Sequence, residues 1–463
     1  MGERELVGLA GLIFLFILIG LRIPVALSML VAGIVGSFAL SVAAPFLKFG
    51  PYLLQFKSSL WSSVANYDLS VVPLFIFMGF LAAEVGLSRD LFAGLSALFG
   101  RIRGGVAMAA VGACAGFGAV SGSSIATAST MSRVSLPELR KLKYDDGLAT
   151  GTLAAGGTLG ILIPPSVALV IYAIVVEGSI IEMFQAAVLP GLLAVLFFIF
   201  VIWLRVHLNP DLAPKATILS DAERKKALWR LLPVLLIFGA IIMGLGLGLF
   251  TPTPAAAMGV LVILLYGFIA RFFSQTHLTA QKLRNSVLST AKTAGMIYLI
   301  LFAADVLKGF FARSGLPVAL TELVANSSFD PYLILVLMLI LLIILGCFME
   351  SLSMILVVVP FFWPTLIELN GGDYVAAADA AFGMTSEQLK IWFGILALVV
   401  VELGLITPPV GLNVFVIKSF APDTSMSTIF GGVMPFFAVE IFRVASILLF
   451  PALCLFLPAY LSG

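Results

Sequence analysis

The chain is poor in the side chains on which most enzymes and metalloproteins rely. It has two histidines and three cysteines in 463 residues, and Cys114, Cys347 and Cys454 all stand in apolar segments without metal-site or disulfide spacing. No motif combines a nucleophile with a base and an acid. The sequence therefore argues against an enzyme.

Charge is also scarce. Asp, Glu, Lys and Arg make up 11% of the residues, and the net charge is +2. The basic residues are scattered among short connections, which excludes the dense basic surface of a nucleic-acid-binding protein. No polar segment is long enough to form a separate soluble domain.

The chain is rich in long apolar segments. Hydrophobic residues make up 61% of it, the mean hydropathy is +1.16, and stretches near twenty apolar residues recur. This pattern predicts an all-α polytopic membrane protein. We expect a retained first span rather than a signal peptide, since the run after Glu3-Arg4-Glu5 lacks a basic start and a cleavage site. The predicted spans lie at about residues 6–21, 23–44, 71–87, 147–176, 183–206, 230–249, 254–273, 292–311, 388–418 and 431–458.

Two of these spans are interrupted by paired prolines, in Ile163-Pro164-Pro165-Ser166 and in Thr407-Pro408-Pro409-Val410. Within a bilayer, unpaired main-chain groups are tolerated only inside protein or beside a wet cavity. Matching breaks therefore predict a buried site for an ion and a substrate. A simple proline kink is the alternative for each break taken alone.

An apolar stretch with a polar tip precedes each break, over residues 104–134 and 331–368. The tips are Ser121-Gly122-Ser123-Ser124 and Glu350-Ser351-Leu352-Ser353, and we interpret each stretch as a re-entrant hairpin, with a full span as the alternative. Hydroxyl and carbonyl oxygens there suit a dehydrated cation such as Na⁺, and half-helix N-termini suit an anion. Close packing of small residues is the other reading of the tips. Glu350 could be a rim charge, a gate or a ligand.

The chain also shows a weak internal repeat. Gly86-Leu87-Ser88 parallels Gly315-Leu316-Pro317 at an offset of about 229 positions, and the proline pairs stand about 244 apart. We predict a first repeat over residues 1–207, a cytoplasmic linker over 208–229 and a second repeat over 230–463. Each repeat holds five complete spans and one hairpin, and an odd number of spans inverts the second repeat.

Basic residues support one orientation. Arg22 and the groups 89–103, 133–143 and 224–226 fall on one side of this arrangement, which the positive-inside rule makes cytoplasmic. Both termini and the acidic loop 373–387 then lie outside. Lys48, Lys57 and Arg313 are exceptions.

Several charges lie within or near spans, where they are costly unless paired or wet. Glu440 and Arg443 are three residues apart and so predict an ion pair on one helix face. Glu402 could serve proton coupling. The remaining charges of this kind are Glu84, Asp305 and Lys308.

Taken together, four motifs resemble the large membrane subunit, or DctM type, of tripartite ATP-independent periplasmic (TRAP) transporters. They are G-A-V-S-G-S-S-I-A-T-A at 118–128, G-I-L-I-P-P-S at 160–166, T-P-T-P-A-A-A at 251–257 and G-L-I-T-P-P-V-G-L-N at 404–413. The resemblance covers essentially the whole chain. It implies uptake of organic acid anions, such as a dicarboxylate or sialic acid, driven by Na⁺ through an elevator mechanism in a bacterial inner membrane.

The same resemblance implies two partners, a small four-helix membrane subunit (DctQ type) and a periplasmic substrate-binding protein (DctP type), and no organic cofactor. The alternative is a dicarboxylate or citrate symporter that works alone. One departure is Pro254, where the family usually has Glu. The substrate, the Na⁺ stoichiometry, the choice between Na⁺ and H⁺ and the oligomeric state stay open.

The resemblance also implies the site residues. Those expected to bind Na⁺ are Ser121, Gly122, Ser123, Ser124, Gly160, Pro164, Glu350, Ser351, Ser353, Thr407, Pro408 and Gly411. Those expected to bind substrate are Ser123, Ser124, Thr127, Pro165, Ser166, Ser353, Pro409 and Asn413.

Overall fold

A computed structural model describes residues 2–214, 220–246, 248–270, 278–325 and 329–462. The predicted linker residues 215–219 and the side chain of Lys57 lie outside the described part. All regular secondary structure in the described residues is helical, which confirms the predicted all-α class. The helices of the first half are α1 (Glu3–Gly20), α2 (Val25–Ala43), α3 (Phe49–Ala65), α4 (Val71–Val85), α5 (Leu87–Phe99), α6 (Gly105–Ser121), α7 (Ser124–Lys141), α8 (Asp146–Leu162), α9 (Val167–Val175) and α10 (Ile180–Leu208).

The second half contributes ten further helices. They are α11 (Asp221–Gly246), α12 (Pro252–Ile269), α13 (Ala280–Ser314), α14 (Leu316–Ala325), α15 (Pro331–Gly346), α16 (Ser351–Asn370), α17 (Ser386–Gly404), α18 (Leu412–Phe420), α19 (Met426–Leu449) and α20 (Ala452–Ser462). Short 3₁₀ turns over Asp68–Ser70 and Pro210–Leu212 complete the described elements.

Within the described residues, eight helices are long and apolar enough to cross a membrane, and a ninth span results if α8 and α9, bent by 47°, are counted together. Helix α1 corresponds to the predicted span 6–21, and α17 and α18 correspond to the two parts of the predicted broken span 388–418. Helices α1 and α17 are not among the eight, and each carries three charged residues. One of the eight is α16, which we expected to be only half of a hairpin. Its 20 residues correspond to about 30 Å of helix, so it is longer than a half-depth arm.

Three further features differ from the sequence-based expectation. The single span expected at 431–458 is divided at Phe450 into α19 and α20, because the following Pro451 disfavours helical geometry at the residue before it. Helix α11 begins at Asp221 inside the predicted linker. Helices α5 and α14, which were not predicted, follow the left-handed residues Gly86 (φ 90°) and Gly315 (φ 74°).

The packing divides the helices into two groups. In the first, which we call the outer group, α13 packs against α2 and α4, and α12 packs against α4 and α11. In the second, which we call the hairpin group, α8 packs against α6, α7 and α19, and α17 packs against α15, α16 and α10. The short helices connect the groups, since α5 contacts both α6 and α11, and α14 contacts both α16 and α1.

Candidate functional site

The first hairpin turns at Gly122. Helix α6 ends at Ser121, Gly122 adopts φ 58°, and the extended residue Ser123 caps α7 by accepting a hydrogen bond from the Ala126 main-chain N–H at 3.4 Å. The Ser121 hydroxyl lies 2.7 Å from the Thr127 hydroxyl and 3.4 Å from the Ser123 carbonyl oxygen. The tip therefore presents two hydroxyls and a main-chain carbonyl close together.

The first broken helix places Gly160 against this tip. A Cβ atom on Gly160 would lie 2.6 Å from the Thr127 hydroxyl oxygen and 3.0 Å from the Ser123 carbonyl oxygen. The chain then passes through a cis Pro164-Pro165 bond, and the fully buried Ser166 caps α9. The structure thus brings Gly160 together with Ser121 and Ser123, three of the residues predicted to bind Na⁺.

The second hairpin has a longer turn, over residues 347–350, between α15 and α16. Glu350 occupies the cap position of α16 without a capping bond from its side chain, and Ser351 and Ser353 are buried in the first turn. Helix α17 ends at Gly404, and a cis Pro408-Pro409 bond leads to Gly411, at φ 63°, before α18. The two halves thus have the same order of elements around their tips.

Main-chain carbonyls converge at the second break. A Cβ atom on Gly411 would lie 3.3 Å from the Thr407 carbonyl oxygen and 3.4 Å from that of Leu405. The Thr407 hydroxyl instead donates to the Leu403 carbonyl of its own helix at 2.6 Å, and the Cys347 thiol lies 3.7 Å from the Pro408 carbonyl oxygen. Main-chain carbonyl oxygens are therefore the main ligands that this break offers to a cation.

Each hairpin packs against its broken helix through a pair of glycines. A Cβ atom on Gly118 of α6 would lie 2.4 Å from the Gly160 Cα, and one on Gly404 of α17 would lie 2.7 Å from the Gly346 Cα of α15. The paired positions stand 228 and 244 residues apart in the sequence, close to the offsets of the polar tips and proline pairs. Main chain therefore packs directly on main chain in both halves.

Glu402 connects the two hairpin tips. Its fully buried carboxylate accepts a hydrogen bond at each oxygen, from the Ser351 hydroxyl at 2.6 Å and from the Ser124 hydroxyl in an equally short contact. Ser124 and Ser351 are the first residues of α7 and α16. Glu402 was predicted to lie in a span but was not among the predicted site residues. The signal for it was its position as a lone acid in the apolar run before Thr407-Pro408-Pro409.

A cavity of about 390 Å³ lies beside the first tip, between the hairpin group and the outer group. Ser121, Gly122 and Ser123 line one side, and α4 and α13 line the other with residues that include Phe80 and Thr293. Glu350 is the one charged residue among its described lining residues. A second space of about 10 Å³, at the lower limit for holding one water molecule, lies between the two tips. The larger cavity has the volume of a small-molecule site.

Of the eight residues predicted to bind substrate, only one is among the described lining residues of this cavity. Ser123 is that residue, whereas Thr127 faces Ser121 and Gly160. Asn413 lies against the first half, where its amide donates to the Ala154 carbonyl of α8 at 3.4 Å. Ser124, Pro165, Ser166, Ser353 and Pro409 are likewise outside the described lining of the larger cavity, although Ser124 lines the smaller one.

The donor set around the tips consists of hydroxyl and carbonyl oxygens. Among the described residues, no group of three or more His, Cys, Asp or Glu side chains converges as a metal site. Neutral oxygens with few carboxylates suit a weakly charged hard cation better than a transition metal. The arrangement can therefore hold an alkali cation near a cavity that admits an organic solute.

Comparison with known proteins identifies the family of this chain. The family model described as Tripartite ATP-independent periplasmic transporter, DctM component, matches residues 12–453. The chain is 32% identical over 429 residues, 92% of this chain and 94% of the relative, to the C4-dicarboxylate TRAP transporter large permease protein DctM of Pseudomonas aeruginosa. It is 31% identical to the sialic acid TRAP transporter large permease protein SiaM of Vibrio cholerae, over 86% of this chain and 88% of the relative.

Two further comparisons bear on architecture. The isethionate TRAP transporter permease protein DctMQ of Oleidesulfovibrio alaskensis is 27% identical over 89% of this chain, which spans 60% of that longer protein. The crystal structure of the Alcanivorax borkumensis YdaH transporter superposes with a TM-score of 0.59 at 14% identity, covering 86% of this chain and 88% of that one. This last likeness concerns the fold alone.

Proposed function

Because this chain belongs to the DctM family of TRAP transporters and is a large permease subunit, we propose that it imports an organic acid anion driven by a Na⁺ gradient. The observation that carries the proposal is the position of the 390 Å³ cavity, which lies beside the first hairpin tip and between the two helix groups. A solute bound there contacts both the hairpin group and the outer group.

The charge of the cavity favours cation coupling. Glu350 is its one charged residue among the described lining, so a carboxylate substrate entering alone would meet a charge of its own sign. A Na⁺ ion bound by the tip oxygens would offset this repulsion. The positive N-terminal ends of α7 and α9 would also attract the carboxylate. Substrate binding then depends on prior cation binding.

The division into two groups supports an elevator movement. In this proposal the hairpin group carries the cavity across the membrane past the outer group, with α5 and α14 as the connections that must bend. An empty or half-filled site crosses less readily, which couples cation and substrate. The proposed location is the bacterial inner membrane, with both termini in the periplasm.

Two partners complete the proposal. A small DctQ-type membrane subunit would pack on the outer group, whose α11 and α12 expose large apolar side chains such as Leu236 and Leu265. A DctP-type binding protein would deliver the substrate. The fused relative DctMQ supports the first of these expectations.

The experiment measures uptake into proteoliposomes that contain this chain together with a DctQ-type small subunit. A DctP-type binding protein carrying the probe is added outside, and the probes are succinate and sialic acid. We expect uptake of one probe only with an inward Na⁺ gradient. We also expect a loss of at least about tenfold in Ser123→Ala, which removes the hydroxyl that caps α7 at a residue lining both cavities. The matched control is Ser419→Ala, since this exposed hydroxyl donates only to the Val416 carbonyl of its own helix.

Uptake that persists without a Na⁺ gradient and is insensitive to Ser123→Ala would contradict the proposal. Uptake that proceeds equally without the binding protein would instead support a carrier that works alone.

A further inference from the structure

The bond network of Glu402 suggests a role for this residue that neither hairpin explains alone. Its two carboxylate oxygens bind hydroxyls that are 278 and 51 positions away in the sequence, on the two hairpins. Hydroxyl-to-carboxylate distances of 2.5 to 2.7 Å are typical of charge-assisted bonds to an ionised group. Glu402 therefore places one buried carboxylate between α7 and α16, and its ionised form would add a negative charge there.

No side chain of opposite sign neutralises this charge within the described residues, where none of the ion pairs includes Glu402. The charges that act on it are the carboxylates of Glu350 and Glu440, and Glu440 is itself paired with Arg443. The two helix N-termini offset part of the cost of burial. An isolated charge in a membrane interior still favours a nearby cation.

Within the described ranges, this link between the tips occurs once. The proline pairs of the two halves stand 244 residues apart, and by this spacing the counterpart of Glu402 in the first half is Thr158 of α8. Its hydroxyl donates to the Ala155 carbonyl of its own helix at 2.6 Å and contributes no charge. The two halves are therefore alike in their glycine contacts and tips but differ at the residue that joins the tips.

Glu402 also lies between the oxygen groups that could hold cations. Ser124 follows directly on Ser123, whose carbonyl belongs to the first group, and Leu405, whose carbonyl belongs to the second, lies less than one helical turn beyond Glu402. A charge at this position attracts cations to both groups. Its hydrogen bonds also make the position of one tip depend on that of the other.

We propose that Glu402 is a positioning residue that couples cation binding at the two hairpin tips, through one carboxylate held between Ser124 and Ser351. This inference rests on the proposed Na⁺-driven transport and adds to it the source of cooperativity between cations. Filling one site draws its tip into the geometry that the second site requires, so the two ions bind together rather than independently.

The test compares Glu402→Gln with the wild-type complex in two measurements as Na⁺ is varied: initial uptake rate and thermal stabilisation of the purified complex. Glutamine has nearly the same size, and its amide can still accept from one serine and donate to the other, so mainly the charge is lost. We expect the half-saturating Na⁺ concentration to rise at least about fivefold and the Hill coefficient to fall toward one in both measurements. Glu368→Gln removes a carboxylate at the far end of α16 and should leave both curves unchanged.

If the Na⁺ dependence of Glu402→Gln equals that of the wild type in both measurements, this inference is overturned and the proposed function is unaffected. A wild-type complex without any Na⁺ response overturns the proposed function itself. If Glu402→Gln does not give a monodisperse complex, the same two measurements are made on Ser124→Ala and Ser351→Ala. Each of these variants removes one hydrogen bond to Glu402 and leaves its carboxylate in place. A reduced Hill coefficient in either variant supports the coupling, and an unchanged one in both overturns it.

Discussion

The main chain of Gly432 of α19 packs directly on that of Gly147 of α8. A Cβ atom on Gly432 would lie only 1.8 Å from the Gly147 carbonyl oxygen, which leaves no room for a side chain. Gly151, one turn further along α8, approaches the same residue, and its added Cβ would lie 2.3 Å from the Gly432 carbonyl carbon. Gly147 and Gly151 form the small-residue spacing that allows close helix contact in membranes. This contact fixes the broken helix α8 against the second half of the chain.

The first prediction is that Gly432→Ala destabilises the protein by about 1–3 kcal/mol, since the added methyl group forces two main chains apart. The adjacent Gly431 lies in the same helix with no atom within 4 Å of an added Cβ, so Gly431→Ala should be neutral or slightly stabilising. The measurement is the thermal midpoint of each purified variant in detergent. Equal midpoints for the two variants would show that the close contact does not form.

The second prediction concerns Arg140, which joins the end of the first hairpin to the loop before α19. Its guanidinium pairs with Asp146 at 3.1 Å and with Asp423 at 3.0 Å, and donates to the Thr424 hydroxyl at 2.8 Å. The hydrogen bond from Arg140 lowers the pKa of Asp423 below its usual value. The stability that Asp423 contributes is thus present above its unfolded pKa, near about 4, and is lost as the pH falls further.

We therefore expect Asp423→Asn to lower the thermal midpoint at neutral pH, with the difference from wild type shrinking below about pH 4 as the aspartate becomes protonated. Thermal midpoints of both proteins across this range provide the measurement. A difference that stays constant over the whole range would rule out the ion pair as its source.

The third prediction concerns the buried ion pair of α19, which the sequence spacing indicated and the structure confirms. Arg443 binds Glu440 and also donates to the Pro190 carbonyl of α10 at 3.1 Å, and both side chains are buried. Glu440→Ala should destabilise the protein by about 3–5 kcal/mol, because it leaves a buried guanidinium without its counter-charge. The double variant Glu440→Leu with Arg443→Met should recover most of that loss. Expression yield and thermal midpoint report both effects, and a double variant as unstable as the single one would contradict this reasoning.

The fourth prediction concerns Gly315, which separates α13 from α14 at φ 74°. An added Cβ would have no atom closer than 4.0 Å, so backbone conformation alone should decide the effect of substitution. Gly315→Ala should cost about 1–2 kcal/mol, and Gly315→Asn less, because asparagine tolerates the left-handed region. Gly295→Ala, in open space within α13, is the control. Equal thermal midpoints for Gly315→Ala and Gly315→Asn would indicate that the left-handed turn is not required.

Much of the fold could be predicted because it follows from local chemistry. Long apolar runs require helices, paired prolines interrupt them, and Gly122 and Gly411 stand where a helix must stop or turn. The short helices α5 and α14 were missed because neither is long enough to resemble a span. The length of α16 was missed because the stretch 331–368 was interpreted as a re-entrant hairpin with two short arms, yet the helix continues through Pro360 and Pro364 to Asn370.

The sequence by itself determined that the chain is a membrane protein with two tips of serine and glycine placed before two proline breaks, because these patterns depend only on neighbouring residues. Only the tertiary structure decided that Glu402 binds Ser124 and Ser351, and that Asn413 lies on α8 rather than in the larger cavity. Those contacts join residues far apart in the chain, and their geometry is set by how closely glycines such as Gly118 and Gly160 let the helices approach.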